Sequence, residues 1–285
     1  MRILLIGANG QLGSDLMKAF HAHTLVPLTH ADIEIADASS VDAALDRHRP
    51  DMLVNMAAYH KVDECEDNPE RAFAVNCLGV RNLALACRKR GAILVHMSTD
   101  YVFDGQTRSP YSECDLPRPI NVYGISKLAG ECFIRYLLDR YYVVRTSGLY
   151  GLAGSSGKGG NFVELMLRLA REGKEIRVVD DQVLTPTYTV DLAHKIGELI
   201  ATKRYGVYHI TNAGACSWYQ FARAIFELTG ISPTIQPTTT AAFGARALRP
   251  AHSVLAHTAL LASGLAELRP WREALAAYLR ERGHL

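Results

Sequence analysis

MRILLIGANGQLG, residues 1–13, sets an unbroken apolar run at positions 3–6 directly against Gly7, Gly10 and Gly13. Leu12, Leu16, Met17, Ala19 and Phe20 then resume at amphipathic spacing. That order reads as a buried strand, a tight turn and a helix. In such a turn one glycine reverses the chain, one lets the backbone approach a pyrophosphate, and one lets the helix pack against the strand. The helix start offers unbonded N–H groups and the positive end of its dipole to phosphate. The spacing is G-x-x-G-x-x-G rather than the commoner G-x-G-x-x-G, so it gains weight only from the company of later motifs in the chain.

Beyond the turn, strand and helix patterns alternate. Short apolar runs at 24–28, 51–57, 92–98 and 142–146 predict strands. Between them, amphipathic stretches at 38–49, 68–90 and 121–140 predict helices, the first ended by Pro50 and the second begun by Asn68 and Pro69. Strands separated by helices of this length predict an α/β fold, a Rossmann-type doubly wound parallel sheet. Right-handed crossovers put the carboxyl ends of its strands, and hence its ligands, on one edge. From Gly151 the character changes. A Gly/Ser-rich loop, GLAGSSGKGGN (151–161), precedes helices at 162–172, 191–202, 218–229 and 274–282, strands at 176–179 and 206–210, and a Thr/Ala-rich connector at 234–249 without clear periodicity. The expected division is a dinucleotide-binding domain over 1–150, with returning elements near 176–202, and a smaller C-terminal substrate-binding lobe over 151–285.

Composition narrows the functional classes. The chain has 285 residues, 48% hydrophobic and 21% charged, enough for one large or two smaller cores. Its 31 basic and 29 acidic residues give a net charge of +2 without clustering, which argues against nucleic-acid or membrane binding. No apolar run has the length of a membrane span, and a core strand directly after Met1 leaves no room for a signal peptide, so a cytoplasmic location is expected. The six cysteines are scattered and the histidines lack metal-binding spacing, so reduced thiols and no metal are expected.

The chemistry-bearing residues lie at the predicted strand ends. A fold selecting NAD usually closes its second strand with a carboxylate for the ribose 2′-hydroxyl. Here the run ends Pro27-Leu28-Thr29-His30. The missing acid, with His30 able to pair a 2′-phosphate, leans towards NADPH, with NADH as the alternative; an idle surface histidine is the plainer reading. Ala57, Ala58 and Tyr59 end the third strand, where small residues let a cofactor, or merely a helix, lie close. Ser98-Thr99-Asp100-Tyr101 ends the fourth, as a site or as a capped turn. Tyr123 and Lys127 fall at i and i+4, on one face of a predicted helix. A tyrosine keeps its proton until about pH 10. A nearby ammonium and an oxidised nicotinamide lower that value, so the phenol can protonate a carbonyl oxygen as hydride reaches its carbon. Thr99 can hold the same oxygen.

With these residues placed, the sequence resembles the dTDP-4-dehydrorhamnose reductase family of the extended short-chain dehydrogenase/reductase superfamily. The matching blocks run nearly end to end, and STDYVFDG (98–105) followed by NVYGISKLAGE (121–131) is the most specific. The resemblance implies an NAD(P)-dependent oxidoreductase that reduces the 4-keto group of dTDP-4-dehydro-L-rhamnose to dTDP-L-rhamnose. It implies Thr99, Tyr123 and Lys127 as the catalytic set and Gly7, Gly10, Gln11, Leu12 and Gly13 against the pyrophosphate. Glu34 and Ile35 would flank the adenine, with His30 nearby, and Ala57, Ala58, Tyr59, Tyr123 and Lys127 would line the nicotinamide half. Thr99, Asp100, Asn161 and Arg249 would meet a nucleotide-sugar substrate, and a homodimer is admitted. The chain departs from the family pattern at Gly148, where a pocket Trp is usual, at His252 in place of Asn, and at His60 in place of Thr. Asp15 matches one acidic residue of a magnesium site found in some members, without a complete set. The alternatives are a related nucleotide-sugar ketoreductase or epimerase, and a non-catalytic regulatory subunit of this fold.

Overall fold

The computed structural model describes residues 1–153 and 160–285. Residues 154–159, within the Gly/Ser-rich stretch, lie outside the described residues. β1 (Arg2–Ile6) leads through the glycine turn into α1 (Gln11–Ala19), followed by β2 (Thr24–Leu28), α2 (Ala38–His48), β3 (Met52–Asn55) and α3 (Val62–Asp67). α4 (Pro69–Phe73) continues through a π-helical stretch, Ala74–Gly79, into α5 (Val80–Arg90). β4 (Ile93–Thr99), a 3-10 turn at Asp100–Val102, α6 (Val122–Leu137) and β5 (Tyr141–Thr146) come next. The second half holds β6 (Leu149–Tyr150), α7 (Phe162–Arg171), β7 (Ile176–Val179), β8 (Val183–Leu184), β9 (Thr187–Tyr188), α8 (Thr189–Thr202) and β10 (Gly206–His209). It closes with β11 (Cys216–Ser217), α9 (Trp218–Thr229), β12 (Ile235–Thr238), α10 (Thr240–Phe243), α11 (Thr258–Ala262) and α12 (Trp271–Glu281).

Six parallel strands form the main sheet in the order β10-β5-β4-β3-β1-β2. Successive side chains of a strand point to opposite faces, and both faces here are apolar. Ile3 and Leu5 join Leu16, Phe20, Val144 and Ile196 beneath α1 and α8. Leu4 and Ile6 join Val41, Leu45, Leu83 and Ile134 beneath α2, α5 and α6. The strand that returns from the second half is β10, which pairs with β5, while β7 stays in the lobe and pairs with β12. A separate cluster around Tyr150, Phe221 and Tyr278 forms the core of the lobe.

The structure adds α3, α11 and the two-residue strands β6, β8, β9 and β11 to the elements the pattern predicts, and it differs from the pattern in two longer stretches. The connector at 234–249 contains β12 and α10. β12 is a four-residue strand, IQPT, with exposed central residues, so it carries no hydrophobic period to find. The helix expected over 68–90 is interrupted by the π stretch. That wide turn holds Asn76, which is fully buried. Its Oδ1 accepts the Tyr59 N–H at 2.8 Å, and its Nδ2 donates to the Tyr59 carbonyl at 2.9 Å and to Ser126 Oγ at 3.0 Å. α6 approaches the same turn so closely that a Cβ on Gly130 would lie 2.4 Å from the Asn76 carbonyl oxygen.

Asn76→Ala strands the Tyr59 N–H and leaves the Tyr59 carbonyl only the weak Cys65 thiol donor at 3.5 Å. The expected cost is roughly 1–3 kcal/mol of folding stability, read as a lower urea midpoint with an unchanged slope. An unaltered midpoint would show that the bridge does not hold this wall.

Candidate active site

The glycine turn folds as its residue types require. Gly7 sits at φ +84°, where a side chain is strained, and its N–H donates to the Leu28 carbonyl at 2.9 Å. Gly10 caps α1, and a Cβ on Gly13 would lie 2.4 Å from the Gly7 carbonyl oxygen, so the helix rests on the turn backbone to backbone. The first N–H groups of α1 therefore face outward at the carboxyl end of β1, unbonded within the helix. The buried Gln11 Oε1 beside them has no hydrogen-bond partner among the described residues.

A cleft of about 820 Å³ opens there, along the carboxyl ends of β1, β3 and β4. Gly7, Gly10, Gln11, Leu12, Gly13, His30, Glu34, Ile35, Ala57, Ala58 and Tyr59 all line it, as do Thr99, Asp100, Tyr123 and Lys127. His30 is exposed, with Nδ1 3.6 Å from a Glu34 carboxylate oxygen. A glycine cradle that side chains would fill and free helix N–H groups fit the diphosphate of a dinucleotide.

At the far end of the cleft the polar strand end meets α6. Asn121 caps α6 by accepting the Gly124 N–H at 2.7 Å. Gly124 admits the 3-10 turn, since a Cβ there would sit 2.2 Å from the Tyr101 carbonyl oxygen. This contact seats Tyr123 beside Thr99, whose hydroxyl hydrogen-bonds the phenol. Burial drives the phenol well above its ordinary range, against the pull of that hydrogen bond. Lys127, one turn on, is 2% exposed and donates to the Met97 carbonyl at 2.7 Å. Burial brings its amine down to about 8, partly opposed by the Glu131 carboxylate. Asp100 is buried too, and burial pushes its carboxyl up to about 6 although Ser253, Ser147 and Thr99 all donate to it.

Two expected substrate residues are otherwise engaged. Arg249 does not reach the cleft wall: it forks onto Asp63, at 3.2 and 2.8 Å, and hydrogen-bonds Tyr101. Asn161 does line the cleft, but its side chain caps α7, accepting the Glu164 N–H, and donates to the Gly151 carbonyl and to Tyr278 Oη. Sequence reasoning missed Ser147 and Ser253, which come to Asp100 from remote segments with no local pattern. It also missed Phe162, Arg168 and Trp218, which give the lobe side of the cleft aromatic faces and a guanidinium. Asp15 is buried and accepts the Thr189 hydroxyl at 2.6 Å. Among the described residues no group of three or more His, Cys, Asp or Glu is placed to hold a metal, and no helix is long and apolar enough to cross a membrane.

The same architecture occurs in known proteins. The chain is 43% identical over 283 residues to the spore coat polysaccharide biosynthesis protein SpsK of Bacillus subtilis, covering 99% of this chain and 98% of that protein. It is 43% identical to the dTDP-4-keto-6-deoxy-D-glucose reductase of Streptomyces niveus, over 96% of this chain and 95% of that one. The crystal structure of dTDP-4-dehydrorhamnose reductase from Bacillus anthracis in complex with NADP superposes with a TM-score of 0.94 at 41% identity, covering 98% of this chain and 99% of that chain. The family model for the RmlD substrate binding domain matches residues 1–283, and the chain belongs to that family.

Proposed function

We propose that this protein reduces the 4-keto group of a dTDP-linked 6-deoxyhexulose with NADPH, its substrate being dTDP-4-dehydro-L-rhamnose and its product dTDP-L-rhamnose. The observation that carries this reading is the meeting of Thr99, Tyr123 and Lys127 at one end of a cleft whose other end is the glycine turn. The full-length likeness to reductases of dTDP-keto sugars supports the substrate class, and the relative solved with NADP supports the cofactor. An assembled catalytic set argues against a purely regulatory role.

Gly10, Gln11 and Leu12 would hold the dinucleotide diphosphate, Glu34 and Ile35 its adenosine end, and Ala57, Ala58 and Tyr59 its nicotinamide half. Bound there, the reduced nicotinamide supplies a hydride to the carbonyl carbon. Tyr123 gives its phenolic proton to the carbonyl oxygen, and the Thr99 hydroxyl orients that oxygen. The Lys127 ammonium lies on the same helix face and stabilises the phenolate as it forms. Ser147 and Ser253 hold Asp100 so that its carboxyl faces the sugar. Phe162 and Trp218 offer flat surfaces to the base, and Arg168 a charge to the diphosphate.

Tyr123→Phe should leave NADPH affinity nearly unchanged and lower kcat by about 10²–10⁴-fold, checked by dinucleotide titration and steady-state assay on a panel of dTDP-4-keto sugars. Unchanged turnover of the preferred sugar would remove Tyr123 as the proton donor.

Activity should also fall on the alkaline side with a midpoint near pH 8, because burial brings the Lys127 amine to about 8 and the uncharged amine no longer supports the phenolate. A kcat profile flat through pH 9.5 in saturating substrate would contradict that assignment.

A further inference from the structure

Behind Lys127, away from the cleft, a line of buried polar groups runs through three elements. Asn55 on β3 and His96 on β4 are paired across the sheet and are both fully buried. Asn55 Oδ1 accepts the Ala57 N–H at 3.1 Å, and Asn55 Nδ2 lies 3.1 Å from His96 Nδ1. His96 Nε2 in turn lies 3.2 Å from Lys127 Nζ. Burial, then the Lys127 charge, holds the imidazole of His96 well below its ordinary range. It stays neutral and carries a single ring proton.

The direction of each bond is set by the first. The Ala57 N–H can only donate, so the Asn55 carbonyl faces it and the Asn55 amide faces His96. That amide can only donate, so His96 Nδ1 accepts and the ring proton sits on Nε2. Nε2–H then points at Lys127 Nζ, where an uncharged amine can accept it and an ammonium cannot. We infer that His96 is a positioning residue that sets the proton count of Lys127: held by Asn55 as its Nε2–H tautomer while the amine is uncharged, it donates to that amine and favours that form. Adding a proton to Lys127 reverses the line, and the mismatch moves back to Asn55 and the Ala57 N–H on the cofactor wall. The titratable groups facing Lys127 are His96 from β4 and Glu131 from its own helix, while Tyr123 on that helix is faced by Asp100 from the turn after β4. Cys65 of α3 faces Tyr123, and Glu131 is itself neutralised by Arg145 of β5. None of these donates to the amine, so beside burial it is the His96 N–H that favours its uncharged state. The inference rests on the reading that Lys127 serves a reductase, and it extends that reading: an amine that has passed its proton to the phenolate is received by a waiting donor until solvent restores the proton.

Histidine-ring ¹⁵N spectra of the full chain with NADP⁺ bound, the His96 signals assigned by their loss in His96→Gln, read the tautomer without reference to turnover. The expected result is a protonated Nε2 and a bare Nδ1 above pH 9, passing to the opposite tautomer as the pH falls through the Lys127 titration. A bare Nε2 above pH 9 overturns the proposal even in an active enzyme. An inactive protein with the expected tautomers would instead fault the reductase reading alone. In kinetics, His96→Asn keeps an acceptor for Asn55 but is too short to donate to Lys127. It should move the alkaline limb of kcat up by about one pH unit, the size of one lost neutral hydrogen bond, with the sugar KM little changed. His96→Gln returns an N–H to the Nε2 position and should return the limb towards its original place. Two variants with identical limbs would reduce His96 to a packing residue.

Discussion

The seating of α6 on the sheet depends on one buried ion pair. Glu131 and Arg145 are each almost wholly removed from solvent and meet at 2.6 Å, with the Arg145 Nε also donating to the same carboxylate at 3.0 Å. Ser98 donates to Glu131 from β4, and the guanidinium lies 5.3 Å from the centre of the Phe103 ring. One helix residue is thereby tied to two adjacent strands. Such a pair contributes little net stability when intact, because desolvation offsets attraction, yet removing one partner typically costs roughly 3–5 kcal/mol. Its effect is to fix a register. Glu131 is one turn beyond Lys127 and two beyond Tyr123, so the ion pair sets where the phenol and amine stand relative to Thr99 at the end of β4. Among the described residues, by contrast, no carboxylate meets the Lys127 amine at bonding distance, and its partners are the Met97 carbonyl and His96.

The opposite wall of the cleft is fixed by different means. The stretch after β3 forms no element from Met56 to Lys61, yet Met56 to His60 line the cleft. Asn76 holds it by reading Tyr59 as one strand reads another, through both its N–H and its carbonyl. A regular helix would carry residue 76 past that position. The π turn widens the helix by one residue at this place, and such turns recur at functional sites because they aim a side chain that an α-helix cannot. The same residue reaches Ser126, one position before Lys127, so this wall of the cleft and α6 share a single anchor.

The parallel sheet was legible because its strands are buried on both faces and read as short continuous apolar runs. The glycine turn was legible because Gly7 and Gly13 answer to local backbone geometry. Tyr123 and Lys127 were legible because helical spacing alone puts them on one face. The rest depends on contacts between segments far apart in the chain. Nothing near Asn76 marks a π turn, and nothing near Ser253 announces Asp100, from which it is 153 residues removed. Arg249 shows the converse. A basic residue in the right block predicts an anion contact, but Asp63, 186 residues away, had already taken both of its terminal nitrogens. β12 and α10 were hidden for a third reason: their residues face solvent on most sides and carry no period at all.

Gly148 shows why a local departure from a family pattern is not a simple deletion. It lines the cleft at φ +55°, directly after the Ser147 that holds Asp100. A Cβ added there would meet Leu184 Cδ1 at 2.9 Å and Pro186 Cα at 3.1 Å. The left-handed backbone and the close approach of the turn between β8 and β9 therefore go together. An aromatic side chain at this position would need both a different backbone angle and a retreat of the 184–186 segment. In this chain the wall is instead made by Leu184 and the backbone itself, and Ser147 keeps its aim at Asp100. Thr99, Tyr123 and Lys127 are insulated from that change, because they are fixed through α6 and the sheet, whereas Gly148 belongs to the stretch leading into the lobe. The Thr99–Tyr123–Lys127 end of the cleft and the wall at Gly148 thus rest on separately supported parts of the molecule, and the second can vary while the first is held.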